Sequence, residues 1–363
     1  MQCASADSID PRGVLVGLSG GVDSAVAALV LADRGYRVTG VTLALWSDPM
    51  VTREAHGPQE TVAQGRSVAA ELGIPHVTVD AAEAFCSKVV EYFVAEYGRG
   101  RTPNPCVKCN SRFRFRLMVE VARSLGLRYV ATGHYARVVG DPPSLARGID
   151  RDKDQSYVLA EVAPELLGEV VFPLGSLTKD EVRAIAASAG LQSAEARESQ
   201  EICFVPDNDH KKFLTSRLGK RPGSIVDVSD RVLGRHEGTY NYTIGQRRGL
   251  GLAGEQPAYV ISVRPDRGQV VVGSAADAAV GVVTICDVVR HRSLGGGAVT
   301  VQLRSAGGSI PAHMSGETTI VLHEPATGVA PGQTAVVYEE DNVVIAGTIE
   351  STARWGEEAE KAP

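Results

Sequence analysis

Two rhythms of apolar and polar positions divide the chain. The first starts with a short apolar run, Gly13-Val-Leu-Val16, followed by a helix-favouring stretch over 25–34 that Gly35 closes and a second apolar run over 37–45. A strand, a helix and a strand in that order predict a βαβ unit and hence a parallel sheet. The pattern repeats with a helix over 60–72 stopped by Gly73, a strand at His76-Val-Thr-Val79, and a long amphipathic helix over 81–97. A further helix runs to Leu125, with Gly126 behind it and a buried strand at Tyr129-Val-Ala-Thr132 after it. Residues 46–59 show no period and hold Pro49, Gly57 and Pro58, the composition of a loop. Thr178-Lys-Asp-Glu181 has the form of a capping box and opens a helix that Gly190 ends.

Near residue 205 the rhythm changes. A basic helix over 209–219 leads into short strands through Val272, with turns at Ser229-Asp230 and over 264–268. From there strands recur at 282–289, 298–303, 317–322, 334–338 and 343–350, the last behind an Asp341-Asn342 turn. Short strands separated by turn signals predict a small β-barrel. The expected architecture is therefore α/β: a tail over 1–11, a parallel-sheet domain over 12–206, a small central module over 207–275, a C-terminal β-barrel over 276–354 and a polar tail over 355–363.

Composition narrows this only a little. A chain of 363 residues suits two or three domains. It has no apolar run of about 18 residues and no basic-then-apolar start, so the expectation is a cytoplasmic protein without a membrane span or signal peptide. Six cysteines, Cys3, Cys86, Cys106, Cys109, Cys203 and Cys286, are too scattered for a disulfide framework and point to reactive or metal-binding thiols. Cys86, among Ala, Phe and Val, reads as a buried small hydrophobe. The net charge of −6 argues weakly against a nucleic-acid partner, a question that local distribution decides.

The first chemistry-bearing stretch is Gly17-Leu-Ser-Gly-Gly-Val-Asp-Ser24, a glycine-rich turn between the first strand and its helix. A helix start offers unpaired N–H groups and positive dipole, and Gly20 and Gly21 let a phosphate approach the backbone. No Lys precedes Ser24, so this is not a Walker A loop, and the spacing does not fit the dinucleotide fingerprint. Backbone, Ser19 and Ser24 would grip a pyrophosphate, with Asp23 placed to hold Mg²⁺. Leu43 and Gly133 sit at carboxyl ends of strands, where doubly wound sheets bind ligands. The octet resembles the PP-loop of ATP pyrophosphatases, which cleave ATP between its α- and β-phosphates.

The second stretch runs from Arg99 to Arg116 and carries six basic residues, no acidic one, and Phe113 and Phe115. Such a run can neutralise phosphates and stack on unpaired bases, or be a solvated basic face. The nearby cations would lower the pKa of Cys106 and Cys109. Cys106-x-x-Cys109 is by itself compatible with zinc, redox or iron–sulfur use, and no second pair completes a zinc tetrad. His134 suits either a hydrogen-bonded core position or a site. Cys203 lies in an apolar, strand-like run that the residues alone would assign to the core.

Taken together, Ser19-Gly-Gly-Val-Asp-Ser24, Gly100-Arg-Thr-Pro-Asn-Pro105 with Cys109-Asn110, Ala131-Thr-Gly-His-Tyr135, Lys153-Asp-Gln-Ser156, Ile202-Cys-Phe204 and Tyr242-Thr-Ile-Gly-Gln-Arg-Arg-Gly-Leu-Gly251 resemble, in order, the segments of the bacterial tRNA-specific 2-thiouridylase family. The resemblance implies ATP- and Mg²⁺-dependent 2-thiolation of the wobble uridine (position 34) in tRNAs for glutamine, lysine and glutamate, with sulfur from a cysteine desulfurase or its relay protein. It implies Cys109 as nucleophile, Cys203 as persulfide carrier and a transient disulfide between them. Nucleotide contacts would come from Gly17, Leu18, Ser19, Gly20, Gly21, Val22, Asp23, Ser24, Leu43 and Gly133. Contacts to tRNA would come from Asn104, Pro105, Cys106, His134, Lys153, Asp154, Gln155, Arg304, Ser305 and Gln333. Arg304 reads equally as an exposed strand charge. Cys106 stands where many relatives have Asp, which leaves open a substitute proton carrier, a spare thiol, or, with Cys109 and Cys203, a ligand set for an iron–sulfur cluster. Two rival classes remain: a PP-loop amidating synthetase acting on small molecules, which would leave the basic stretch and the barrel unexplained, and a non-enzymatic tRNA-binding module, which would not need Ser19-Gly-Gly-Val-Asp-Ser24.

Overall fold

A strand whose residues are apolar on both faces has no face to offer water, so it must lie inside a sheet covered on both sides. The first strand, β1 (Asp10–Gly17), does so: Val14, Leu15 and Val16 are fully buried. In the computed structural model, which describes residues 9–45, 58–192, 202–252 and 258–356, β1 is the middle of five strands. Around it lie α1 (Val22–Asp33), β2 (Arg37–Ala44), α2 (Pro58–Glu71) and β3 (His76–Asp80). A helical run made of α3 (Ala82–Phe85), a π-turn segment (Cys86–Val90) and α4 (Glu91–Gly98) follows, then α5 (Pro105–Cys109), a second π-turn segment (Asn110–Arg114) and α6 (Phe115–Ser124). The chain continues through β4 (Leu127–Ala131), β5 (Ala136–Val139), β6 (Ser144–Arg147), α7 (Ser156–Leu159), β7 (Val170–Val171) and α8 (Lys179–Ser188).

The five strands run β3-β2-β1-β4-β7, all parallel. Their register brings Gly17 beside Val41 and Val16 beside Ala131, so the carboxyl ends of β1, β2 and β4 share one edge. The small, apolar helix α1 packs with Val14, Val16, Ala131, Val182 and Ala186 into one core. Thr178 caps α8 through the reciprocal box that the sequence announces.

Several local expectations shift. Asp10 and Pro11, assigned to a tail, belong to β1, where Asp10 pairs with the Arg37 guanidinium. The long helix over 81–97 is interrupted by the π-turn segment, and Cys86 in it is half-buried rather than core. Residues 202–205 form a turn, not a strand, because Cys203 is exposed while Phe204 and Val205 alone turn inward. Tyr157 to Leu159 are helical. The hairpin of β5 and β6 lay hidden in a segment rich in Gly, Pro and charge. The expected loop over 46–59 lies outside the described residues for all but its last two positions, which begin α2.

The chain divides into two units. Met1–Val89, Cys106–Phe204 and Asp341–Val343 form the first, and Val90–Pro105, Val205–Glu340 and Val344–Pro363 the second. In the second unit α9 (His210–Leu218) precedes a four-stranded sheet in the order β10-β11-β8-β9, with β8 at Gly223–Val226, β9 at Val232–His236, β10 at Tyr259–Arg264 and β11 at Gln269–Gly273. Antiparallel barrel strands follow: β12 (Val280–Arg290), β13 (Val299–Gln302), β14 (Ile310–Ser315), β15 (Thr319–Ala326), β16 (Thr334–Glu339) and β17 (Asn342–Arg354). The pairing of β12 with both β15 and β17 closes the barrel around Val283, Ile285, Val301, Ile320, Val337 and Ile349. Strand β14 escaped the sequence reading because Gly307, Gly308 and Pro311 mask its alternation. Among the described residues no helix is long and apolar enough to cross a membrane.

Gly133 lies where β4 meets α1: a Cβ there would stand 2.7 Å from the Asp23 carbonyl carbon and 2.9 Å from the Ser24 nitrogen. Those are backbone atoms that cannot turn aside. Gly133→Ala is expected to cost roughly 1–3 kcal/mol, the usual range for overpacking, read as a lower denaturant midpoint at unchanged m-value. An unaltered midpoint would show that β4 and α1 separate freely.

Candidate functional site

The glycine-rich turn folds as its residues require. Gly20 takes φ +84° and would clash with the Gln64 side chain at 2.5 Å if it carried a Cβ. Ser24 closes the turn: its hydroxyl donates to the Gly21 carbonyl (2.9 Å), accepts from the Ser19 N–H (3.2 Å) and lies 3.3 Å from the Ser19 hydroxyl. Gly21 is the N-cap of α1 and supplies no side-chain cap, so first-turn donors keep their capacity for an anion. Leu18 and Val22 turn into the core, and Leu43 lies half-buried near the carboxyl end of β2.

Asp23, in the first turn of α1, is the expected cation ligand. Its carboxylate receives the Lys179 ammonium on both oxygens, at 2.7 and 2.9 Å, and the Tyr135 hydroxyl at 2.7 Å. Lys179 is almost fully buried, and its Nζ also lies 5.7 Å from the Tyr135 ring centre. The sequence showed Lys179 only as part of a capping box, 156 residues from Asp23. The anchor continues: the Lys179 N–H donates to Asp150, whose carboxylate also accepts from the N–H groups of Asp152 and Lys153. Gln155 clamps Tyr135 from both sides, its side chain accepting from the Tyr135 N–H and its own N–H donating to the Tyr135 carbonyl. Asp154 accepts from Gly148, Arg147 and Ser156. Thus Asp154 and Gln155, expected to touch tRNA, hold the turn that supports Tyr135.

The second group is the thiols. Cys106 opens to solvent, Cys109 is buried at the end of α5, and Cys203 is exposed on the 202–205 turn. All three interact electrostatically with one another and with the Arg114 guanidinium, which also hydrogen-bonds Cys109. Burial works against the charge on Arg114, but the facing sulfurs outweigh it and raise its pKa. The expectation that neighbouring cations depress the thiols is overturned. Desolvation by the protein packed around the sulfurs pushes Cys106, Cys109 and Cys203 up, Cys203 to about 12 with help from the other two sulfurs, although the residues Cys106 and Cys203 keep a solvent-facing edge, and Arg114 only partly offsets it. His134 stands beside this group, its Nδ1 2.7 Å from the Thr132 hydroxyl and its ring against Phe115 and Phe172. Burial, then the charge of Arg114, lowers its pKa to about 3, so it is neutral at physiological pH.

The basic stretch does not form one patch. Arg99 and Arg101 both bind the buried Glu96, and Arg101 also donates to the Ile349 carbonyl. Lys108 is fully buried against Glu161 at 2.5 Å, and Arg114 faces the thiols. Arg112 and Arg116 are exposed. Phe113 and Phe115, expected to stack on bases, are buried, Phe113 against Phe85 and Phe115 against Phe172. The reason is local: the π-turn segment after Cys109 turns both rings inward, the kind of widened turn frequent at functional sites. Lys108 to Glu161 and the Asn110 amide to the Val158 carbonyl (3.0 Å) then pin the cysteine-bearing helix to α7 and the residues just after it.

Asn104 is half-buried and Pro105 begins α5. Arg304, Ser305 and Gln333 lie in the second unit, where Arg304 and Ser305 are exposed and the Gln333 amide donates to the Thr102 carbonyl at 2.8 Å.

The loop fits a nucleotide, since uncapped donors and a side-chain-free approach are what a phosphate chain needs. A single carboxylate at that point suits Mg²⁺, which is held largely by substrate phosphates. Cys106, Cys109 and Cys203 are near enough to interact, but among the described residues no three His, Cys, Asp or Glu side chains are arranged to hold a metal ion.

Residues 12–207 match the family model described as tRNA methyl transferase HUP domain, 211–274 the tRNA methyl transferase PRC-barrel domain, and 288–349 the aminomethyltransferase beta-barrel domain. The chain is 42% identical over 364 residues to a tRNA-specific 2-thiouridylase MnmA of Carboxydothermus hydrogenoformans, covering 95% of this chain and 99% of that one. It is 45% identical over 358 residues to the protein so named in Acidothermus cellulolyticus, covering 94% and 98%. With the bifunctional protein NifU/MnmA of Rubrobacter xylanophilus it shares 47% over 346 residues, covering 93% of this chain and 69% of that one.

Two outcomes follow from this geometry. Lys108→Met alone strands a buried carboxylate and is expected to cost about 3–5 kcal/mol, whereas Lys108→Met with Glu161→Leu should recover much of it; equal losses in urea unfolding would remove the pair from the anchor. Arg114→Met takes away the one charge that lowers the Cys109 pKa. The pH midpoint of Cys109 alkylation should therefore move up, and a fixed or lower midpoint would show that Arg114 does not act on this sulfur.

Proposed function

We propose, from the premise that the chain belongs to the family of tRNA-specific 2-thiouridylases, that it activates the wobble uridine of tRNA with ATP and replaces the C2 oxygen with sulfur through Cys203 and Cys109. The chain is a tRNA-uridine 2-sulfurtransferase. The observation that carries the mechanistic reading is that one folding unit holds both an uncapped, glycine-lined helix start and a group of three thiols around one guanidinium.

A carbonyl oxygen is a poor leaving group. Attack of the uridine O2 on the α-phosphorus of ATP forms the O2–P bond and breaks the bond to the β-phosphate, whose electron pair leaves on pyrophosphate. The turn from Gly17 to Ser24 holds the phosphates, and Gly133 lets the end of β4 pack directly against its last two residues. Asp23 is the carboxylate that would meet Mg²⁺, which supplies charge neutralisation to those phosphates when bound. Cys203, on an exposed turn, can be reached by a protein that donates persulfide sulfur. A desulfurase or its relay is the partner that this chemistry requires, and a relative that joins this module to a second one in a single bifunctional chain supports a partner of that kind.

Cys109, once deprotonated, attacks the Cys203 sulfur of the persulfide. The Cys109–Cys203 disulfide forms, the terminal sulfur leaves as hydrosulfide, and hydrosulfide adds to C2 as AMP departs with the oxygen. A thiol reductant then restores the two cysteines. Arg114 faces both sulfurs and stabilises the anionic forms that burial opposes. His134, neutral, cannot supply an imidazolium proton; Cys106 is the remaining titratable group beside the sulfurs. The tRNAs for glutamine, lysine and glutamate are the proposed substrates, with contacts from Asn104, Pro105, Cys106, His134, Lys153, Arg304, Ser305 and Gln333. Arg112 and Arg116 offer further exposed charge for phosphates.

The test separates activation from sulfur transfer. Cys109→Ser and Cys203→Ser should abolish 2-thiouridine in tRNA while pyrophosphate release stays dependent on tRNA, and Cys106→Asp should retain thiolation without iron. Pyrophosphate release lost together with thiolation would undo the division of labour. Iron-dependent activity that disappears in Cys106→Asp would replace the persulfide route with a cluster.

A further inference from the structure

Four features place a buried cation at the mouth of the phosphate turn. The turn itself has no lysine. Lys179 grips both oxygens of Asp23, the residue immediately before the Ser24 that closes the turn. Its backbone is fixed independently, by the Thr178–Glu181 box and by Asp150. Asp23 retains a third of its side-chain surface while Lys179 retains almost none.

An ammonium buried this deeply needs its charge compensated, and the Asp23 carboxylate that takes it keeps part of its own surface. The carboxylate also sits at the positive end of α1, where a phosphate chain would compete for the same dipole and the same ammonium. We propose that Lys179 is the cation missing from the turn: it engages the β-phosphate end of the nucleotide and stabilises the charge left on pyrophosphate, while Asp23 and Tyr135 position its ammonium. The inference rests on the adenylylation reading above. As the uridine O2 bonds to the α-phosphorus, the electron pair of the breaking P–O bond passes to pyrophosphate, and Lys179 keeps its proton and neutralises that oxygen. A Walker-type lysine reaches phosphates from within its own loop; here the same charge arrives from the start of α8.

Lys179→Gln keeps length and can still donate to Asp23. In the full-length protein it is expected to slow single-turnover, tRNA-dependent pyrophosphate release by about 10²–10³-fold, the range for losing one preorganised charge-stabilising donor. Magnesium pyrophosphate should raise the Tm of the parent and not of Lys179→Gln, while AMP raises both, and Lys179→Arg should recover part of each response. A Lys179→Gln protein that keeps the pyrophosphate-induced shift and the release rate overturns the assignment and leaves Lys179 as a structural counterion. Should Lys179→Gln fail to fold, Asp23→Asn/Lys179→Gln is compared with Asp23→Asn alone; a pyrophosphate shift present in Asp23→Asn and absent from the double variant supports the assignment, and a double variant that responds as Asp23→Asn does overturns it. A parent that binds pyrophosphate but never releases it in response to tRNA defeats the adenylylation reading, and the Tm comparison still decides the lysine.

Discussion

At the start of α1 the Asp23 carboxylate meets the helix's positive end, takes a buried ammonium on both oxygens and accepts a phenol. Each partner reaches back to a different part of the first unit. Lys179 leads to α8 and through Asp150 to the Lys153 turn, and Tyr135 leads to Gln155 and the end of β4. A helix start left without a side-chain cap leaves its first N–H groups to water or to a ligand. Binding the first turn through its one acidic side chain, rather than through a cap, keeps α1 in place while the backbone donors stay available. The open donors and the rigid scaffold around them are thus two consequences of one arrangement.

The thiols show a competition of opposite sign. Burial favours the neutral thiol, and a facing guanidinium favours the thiolate. Here burial wins at all three cysteines. A resting thiol near pH 7 is a weak nucleophile, which protects it from oxidants as much as it slows sulfur transfer. Arg114 keeps the deprotonated form within reach, and the neutral His134 beside it adds no second positive charge. The three thiols are therefore held toward their neutral form, with one guanidinium acting the other way.

The parallel sheet, the phosphate turn and the barrel were legible because each depends on local order: a two-residue or 3.6-residue period, a glycine at a strand-to-helix junction, a capping box. Cys109 and Cys203 gained their roles through ordered motifs rather than through any period. What stayed hidden was the partner of each charge. Lys179 looked like one more polar residue of a helix start, and Lys108 like one more member of a basic run, because the carboxylates that bury them lie 156 and 53 residues away. Phe113 and Phe115 misled for a related reason. Alternation of aromatic and basic residues suits an RNA-binding face, but a π-turn rotates the apolar members inward and leaves the cations to different tasks.

That redistribution bears on how an acidic protein can hold RNA. With a net charge of −6, non-specific attraction over the whole surface is unfavourable. Of the six cations between Arg99 and Arg116, Arg99 and Arg101 are committed to Glu96, Lys108 to Glu161 and Arg114 to the sulfurs. Charge turned toward internal partners releases fewer counterions from a phosphate backbone, so affinity in this stretch rests on the guanidinium groups that stay exposed, Arg99, Arg112 and Arg116, each contributing about one unit of salt dependence at most. Binding built from so few phosphate contacts is weak at any one place and must be completed by shape and by base-edge contacts. An enzyme that reads one uridine in a folded RNA benefits from that balance, since unmodified positions elsewhere give it little to hold.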